Sequence, residues 1–533
     1  MVFRWQGSRI LINKLRVLHI KERARRSVKF VLPYALPTHD VGCSKVYVGK
    51  ARGKKILPTA PALRVTSNYY PMSKKSSQKK KKNGFKKFWR LGMEEFNTQN
   101  FDISPDGELV VREGNYQYNI FDIVKKYGTS TEIVFPTIIE NRVRDLIETF
   151  NAYIKILGYK GKFFYHYAMK ANQTKEFVLP AVAEGANLDV ASANELFLVK
   201  RMIEQDKFNT KIRVICNGPK TEKYISLIEE LKSKGLIVIP IIEDYNELER
   251  MEKFKGEVGI RVNLDIKVQS HWDKKFNRFG FTEEELLKIG KVRNLSTLHY
   301  HISKQIENIG GFIKPLKRTL ELYAQMKEKN PGLDTLDIGG GAGVPFEKKK
   351  SFYTGRSLIS QIVRTAKKEC DKLGIRHPNL IVEWGSYVAA PAQITIYKIL
   401  TEKPVGNKGK VNWYVIDGSF MNDLIDTWAI HQKWHVVPVN YMNARKLDKV
   451  WLAGSSCDSD DKYTAGGEYI LLPRLADCDE LYVALMDTGA YQDSLASHHC
   501  LLSSPAKLIA QNGEIKIARK RESAEEVGKE FGW

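Results

Sequence analysis

Residues 164–191 read FYHYAMKANQTKEFVLPAVAEGANLDVA. The run 164–169 is aromatic and apolar, as a buried strand requires. Glu176 to Ala183 then shows helical spacing, and 186–191 is a second short apolar run. Strand, helix and strand in one such stretch form the parallel unit whose helix crosses back over the sheet. The alternation continues with apolar or β-branched runs at 213–216, 237–243, 257–263, 296–302, 335–338 and 380–383. Between them lie helical segments such as 193–203, 222–231 and 316–326. Eight strands alternating with helices over roughly 250 residues predict an α/β fold of the (β/α)8 (TIM) barrel type. A doubly wound open sheet is the alternative, and eight units favour closure.

Outward from this core the pattern changes. Ile139, Val143, Leu146, Ile147, Phe150, Ile154 and Leu157 give the stretch Glu132 to Leu157 one apolar helical face. Beyond Ala390, the short runs 394–397, 413–416, 450–452 and 481–484 predict a second, mostly antiparallel β domain. The strand-like segment 107–118 is expected to join it. The resulting division is a basic leader at 1–90, the N-terminal part of the β domain at 91–132, the barrel at 133–389 and the C-terminal β domain at 390–533.

The net charge of +24 is unevenly spread. Residues 1–90 hold 24 Lys and Arg against two acids, Glu22 and Asp40, while the remainder holds 61 basic and 59 acidic residues. The body is nearly neutral, so its composition does not suit a nucleic-acid partner, and any polyanion binding belongs to the leader. The leader has three readings: a disordered or spurious extension with the natural start at Met72, an organelle-targeting peptide, or a polyanion-binding tail. No run of 18 uncharged apolar residues suggests a membrane span. Cys43, Cys216, Cys370, Cys457, Cys478 and Cys500 lack CxxC spacing. That argues against a disulfide framework or a metal site, and for a reducing, cytoplasmic location.

In a barrel, active groups sit where strands end. The first run ends at Lys170. The second ends in Asp189-Val190-Ala191-Ser192, with Glu195 one turn on. The fifth ends at Arg261-Val262-Asn263, the sixth in His299-Tyr300-His301, the seventh in Asp337-Ile338-Gly339-Gly340-Gly341, the eighth at Glu383. Singly, each has a bland reading: a rim lysine, a core histidine, a tight glycine turn, a paired carboxylate. Together they are what pyridoxal 5′-phosphate (PLP) requires. A lysine holds its aldehyde. Glycines let backbone N–H groups approach its phosphate. A carboxylate keeps its pyridine nitrogen protonated, and a flat side chain packs on its ring.

The motifs YAMKAN, LDVASANE, LHYHIS, LDIGGGAG, CDSDD and DTGAYQ resemble those of the PLP decarboxylases of the alanine-racemase-like barrel class. That class includes the ornithine, diaminopimelate and arginine decarboxylases. The resemblance runs from about Phe101 to Leu508. It implies that Lys170 carries PLP, His301 stacks on its ring and Glu383 pairs with its pyridine nitrogen. Gly339, Gly340, Gly341 and Tyr491 would bind the phosphate. Asp189, Ser192, Glu195 and Arg261 would form the supporting network. Cys457 and Asp458 would enter from a partner subunit of a homodimer or larger assembly, Cys457 as catalytic proton donor and Asp458 facing the far end of the substrate. Two positions depart from the family pattern. Lys304 stands where a phosphate-contacting Ser is usual, and Ser386 where an Arg is usual. Either Lys304 restores the lost positive charge at the phosphate, or it points to solvent.

Asp458, with Asp426 as a second carboxylate, suits a small basic amino acid. The E-[FW]-G-S-Y, I-D-G-S-F, CDS and T-G-A-Y-Q segments resemble a short bacterial biosynthetic arginine decarboxylase. Arginine is the first reading, making agmatine for polyamine biosynthesis; ornithine or lysine is the second, and diaminopimelate a lesser one. A racemase would need a second base on the opposite face of the cofactor. A non-catalytic homologue would be expected to have lost the cofactor groups.

Overall fold

The computed structural model describes residues 100–206, 211–268, 277–346, 353–406, 411–464 and 468–533. The leader at 1–90 and its three readings lie outside these residues. Eight parallel strands close into a barrel: β1 (Phe163–Ala168), β2 (Asn187–Val190), β3 (Arg213–Cys216), β4 (Ile237–Ile242), β5 (Val258–Asn263), β6 (Leu295–His299), β7 (Thr335–Asp337) and β8 (Asn379–Val382). Closure is the β4–β5 pairing, with Ile241 opposite Gly259 and Ile242 opposite Ile260. The open-sheet alternative is thereby excluded.

Alternation along these strands decides what faces where. Leu188, Val190, Val214, Cys216, Leu298, Leu336, Leu380 and Val382 pack outward in the core beneath the helices. Phe164, Ile215, Ile239, Ile241 and Ile381 form a separate cluster inside the barrel. Successive strand residues point to opposite faces, so the inward side recurs two residues further on. From Ile215, Ile241 and Ile381 that step reaches Asn217, Glu243 and Glu383 at the C-terminal mouth. An apolar plug thus fills the barrel and a polar layer sits on it, as barrel cores are built.

The helix Pro136–Leu157 leads into the barrel, with Pro136 at its first turn and Gly158 in the left-handed region closing it. It starts later than its apolar period implies, because Thr131–Val134 is taken by a β-strand. That strand belongs to a second sheet of ten strands, mostly antiparallel. The sheet's long strand Gln393–Pro404 pairs on one side with Thr131–Val134, which in turn pairs in parallel with Ala506–Gln511. Strand 131–134 therefore runs across residue 132. Residues 101–119 form a three-stranded antiparallel sheet of their own, linked to the β domain by Leu109 N–H donating to Val439 O. No described helix is long and apolar enough to cross a membrane.

Candidate active site

A cavity of about 700 Å³ opens at the C-terminal mouth of the barrel, beneath loops of the β domain. Lys170, Arg261, His301, Lys304, Gly340, Gly341, Glu383, Ser386, Asp426 and Tyr491 all line it. Lys170 follows β1 in a single helical turn, Met169–Ala171. Its side chain opens into the cavity.

Glu383 lies at the floor. Asn217 Nδ2 donates to Glu383 Oε1 at 2.8 Å and to Asp189 Oδ1 at 2.7 Å. One buried amide thus holds two carboxylates together, and Asp189 itself sits behind the cavity wall. His299 Nε2 is 3.6 Å from Glu383 Oε2. Burial pushes the Glu383 carboxyl up, but His299 and the Lys170 ammonium outweigh it and hold the group well below the usual carboxylate range. Asp189 goes the other way. Burial and then the Glu383 charge push it up to about 8. Asp337 is raised as well, by burial first and Glu383 second. Among these three buried carboxyls the surroundings favour the ionised form on Glu383 and disfavour it on Asp189 and Asp337. Burial lowers Lys170, yet Asp189 and Glu383 raise it above its ordinary value overall.

His301, two residues beyond β6, is a neutral ring, its pKa lowered by burial and then by Lys170. Gly340 N–H donates to its Nδ1 at 3.0 Å, which assigns the ring proton to Nε2. Gly339 and Gly341 have φ of +66° and +107°. A Cβ at Gly339 would come 2.5 Å from Tyr300 O, and one at Gly341 2.6 Å from Ser303 O. Gly339 N–H is already given to Asp337 Oδ1, so the first two glycines of the triplet spend their N–H groups within the protein. Their contribution is the close approach of the backbone that a side chain would block.

Other expected residues play different parts. Ser192 Oγ accepts from Glu195 N–H, and Glu195 accepts from Ala191 N–H. The pair caps the helix Ala193–Asp206, and Ser192 is not among the cavity-lining residues. Arg261 pairs with Glu243 at 3.0 Å, both nearly buried. Lys304 does not turn to solvent: it lines the cavity, where burial lowers its pKa and Asp426 is its charged neighbour. Asp426 is fixed by Gln492, which donates Nε2–H to Asp426 Oδ2 at 3.0 Å and accepts from its N–H. Cys457 and Asp458 do not line the cavity. Cys457 Sγ lies 3.5 Å from Cys500 Sγ, and Asp458 pairs with His499 at 3.3 Å.

Asn217 and Glu243 were missed by reading strand ends. A neutral Asn and a lone Glu, at the ends of the third and fourth strands, carry no chemistry by type. The inward period from Ile215 and Ile241 is the signal that finds them.

These residues fit PLP. A lysine opens into the cavity with no ion pair or hydrogen bond to another described residue. An ionised carboxylate is buried at the floor, and a glycine cradle excludes side chains. Asn217 Oδ1 and both ring nitrogens of His299 are buried without hydrogen-bond partners among the described residues, so the floor retains polar capacity. Fold and site define a PLP-binding barrel. Residues 143–390, which span the barrel, match the family model described as "Pyridoxal-dependent decarboxylase, pyridoxal binding domain". The chain is 26% identical over 423 residues to a diaminopimelate decarboxylase of Methanocaldococcus jannaschii, covering 76% of this chain and 92% of that protein. It is 25% identical over 370 residues to a biosynthetic arginine decarboxylase of Prochlorococcus marinus, covering 63% of this chain. It spans only 56% of that relative's length. The crystal structure of the biosynthetic arginine decarboxylase from Campylobacter jejuni superposes with a TM-score of 0.72 at 20% identity, covering 84% of this chain and 90% of that one.

Proposed function

We propose that the protein decarboxylates L-arginine to agmatine and CO2. The observation that carries this reading is Asp426. It stands in the same cavity as Lys170, held by two hydrogen bonds with Gln492, and a fixed carboxylate there suits a guanidinium. Lys170 would hold the cofactor aldehyde, with Glu383 at the pyridine nitrogen, His301 against the ring and the glycine cradle, Tyr491 and Lys304 around the phosphate. When bound, PLP supplies an electron sink for the pair left as CO2 departs.

The remaining steps belong to the chain. Glu383 stays ionised, so it keeps a proton on the nitrogen it faces. Asn217 fixes that carboxylate against Asp189. His301, neutral, covers a ring face without adding charge. Arg261, turned by Glu243, keeps one wall cationic. Cys457 and Asp458 of a second copy would complete the site, Cys457 returning a proton to the α-carbon and Asp458 meeting the far end of the substrate.

A second reading has its own support. Arg278, Lys304 and Lys433 also line the cavity, and cations there suit the second carboxylate of diaminopimelate. The deciding experiment offers arginine, ornithine, lysine and diaminopimelate to the PLP-loaded enzyme and measures CO2. Arginine is expected to release it, with agmatine as co-product. Release from diaminopimelate alone replaces the arginine reading. Lys170→Ala should abolish both turnover and the visible absorbance of bound cofactor.

A further inference from the structure

Asn172 follows Lys170 by two residues and is buried. Its Nδ2 donates to Gly489 O at 3.0 Å and to Asp493 Oδ2 at 2.6 Å. Its Oδ1 accepts from the N–H and hydroxyl of Thr174. The backbone returns the contact, with Tyr491 N–H donating to Ala171 O at 2.6 Å. Tyr491 holds a left-handed φ of +71°, which a non-glycine residue keeps only where its surroundings enforce it. The lysine loop and the Gly489-Ala490-Tyr491 turn are therefore bonded to each other through the two residues that follow the cofactor lysine.

Behind them stands Lys507, whose side chain is 3% exposed. Its Nζ lies 2.5 Å from Asp493 Oδ1 and 3.0 Å from Glu132 Oε2, and donates to Gln393 Oε1 at 2.9 Å. Strand register explains the meeting. Lys507 is opposite Glu132, and the strand carrying Gln393 is the next neighbour. Gln393 O in turn accepts from Thr488 N–H, just before the turn. A buried ion pair is an expensive way to fill space, because desolvation offsets most of its attraction and apolar residues often serve as well. Its value lies in fixing geometry, and the geometry fixed here ends at Lys170.

We propose that Lys507 is a positioning residue for the cofactor pocket, acting through Asp493 and Asn172 on the loop of Lys170 and the turn of Tyr491. The inference rests on the PLP site and not on which amino acid is the substrate. Its test is a double-mutant cycle on the full chain, reading the PLP dissociation constant by titrating the visible absorbance of the bound cofactor. Asn172→Ala and Lys507→Met should each weaken binding about tenfold or more, the loss of one charge-assisted contact. The double variant should be no weaker than the poorer single, because the two act in one chain. Losses that multiply overturn the proposal. So does a lowered melting temperature with an unchanged dissociation constant, which makes Lys507 structural only. Should Lys507→Met, which leaves Asp493 without its lysine and Glu132 with Arg519 alone, yield no soluble protein, Lys507→Gln keeps a donor and enters the same cycle with the same outcomes.

Discussion

Asn217 shows how a residue of unremarkable type becomes central through position alone. Its amide donates to both Asp189 and Glu383 and so bridges the two carboxyls. Replacing it with Leu leaves two buried carboxyls facing each other without that bridge, a loss of about 1–3 kcal/mol by the usual cost of unsatisfied buried groups. We expect PLP affinity to fall roughly 10- to 100-fold, read by absorbance titration; an unchanged affinity would make Asn217 a bystander. Asp189 carries a second prediction. Its folded pKa is raised to about 8, against about 3.9 in an unfolded chain. Between those values the folded protein holds a proton that the unfolded chain has shed. Stability from this group therefore falls as pH rises from about 4 to 8 and is level above that. Urea denaturation of the cofactor-free protein from pH 5 to 9 should show a shallower decline in Asp189→Asn than in the parent. Identical slopes would mean that Asp189 is ionised in the fold. Both residues were half legible: Asp189 stood in a motif, while Asn217 needed the knowledge that Ile215 points inward.

At the scale of the element, strands and helices of the barrel were legible because each repeats one period over several turns or residues. The runs at 213–216 and 380–383 coincide with β3 and β8 to within a residue. Legibility ended where one period was overridden. Glu132 to Val134 fit a helical face but are drawn into the second sheet, where Ile133 and Val134 are fully buried and β-branched side chains pack well. The glycine triplet is the element with the least tolerance. At Gly341, φ is +107° and an added Cβ would meet Ser303 O at 2.6 Å. Gly341→Ala must move backbone rather than a flexible side chain. The expected cost is about 1–3 kcal/mol of stability, seen as a lower melting temperature, together with weaker PLP binding as the cradle widens. A variant matching the parent in both would show that the cradle has slack.

At the scale of the whole molecule, the pieces that were hardest to read are those joined across the greatest sequence distance. Lys507, Glu132 and Gln393 meet only because three strands of the β domain are neighbours, and no spacing announces that. The same distance separates Cys457 and Asp458 from Lys170, but here the fold does not close it. The CDSD segment faces His499 and Cys500, while the cavity is lined without it. A catalytic role for Cys457 therefore requires a second copy, arranged so that each chain lends its segment to the other's cavity. Twofold symmetry makes such lending reciprocal, and that makes the idea testable without any structure of the assembly. Lys170→Ala and Cys457→Ala are each expected to be nearly inactive alone. In a mixed dimer one of the two sites carries both mutated positions, and the other carries Lys170 from one chain and Cys457 from its partner. Random exchange of equal amounts makes half the dimers mixed, so activity should return to roughly a quarter of the parent level. Restoration on mixing, measured as CO2 release from arginine, supports a shared site. If both variants exchange subunits, as shown by a tag on one of them, and the mixture stays inactive, then Cys457 serves no partner and the proton must be returned by a residue already lining the cavity.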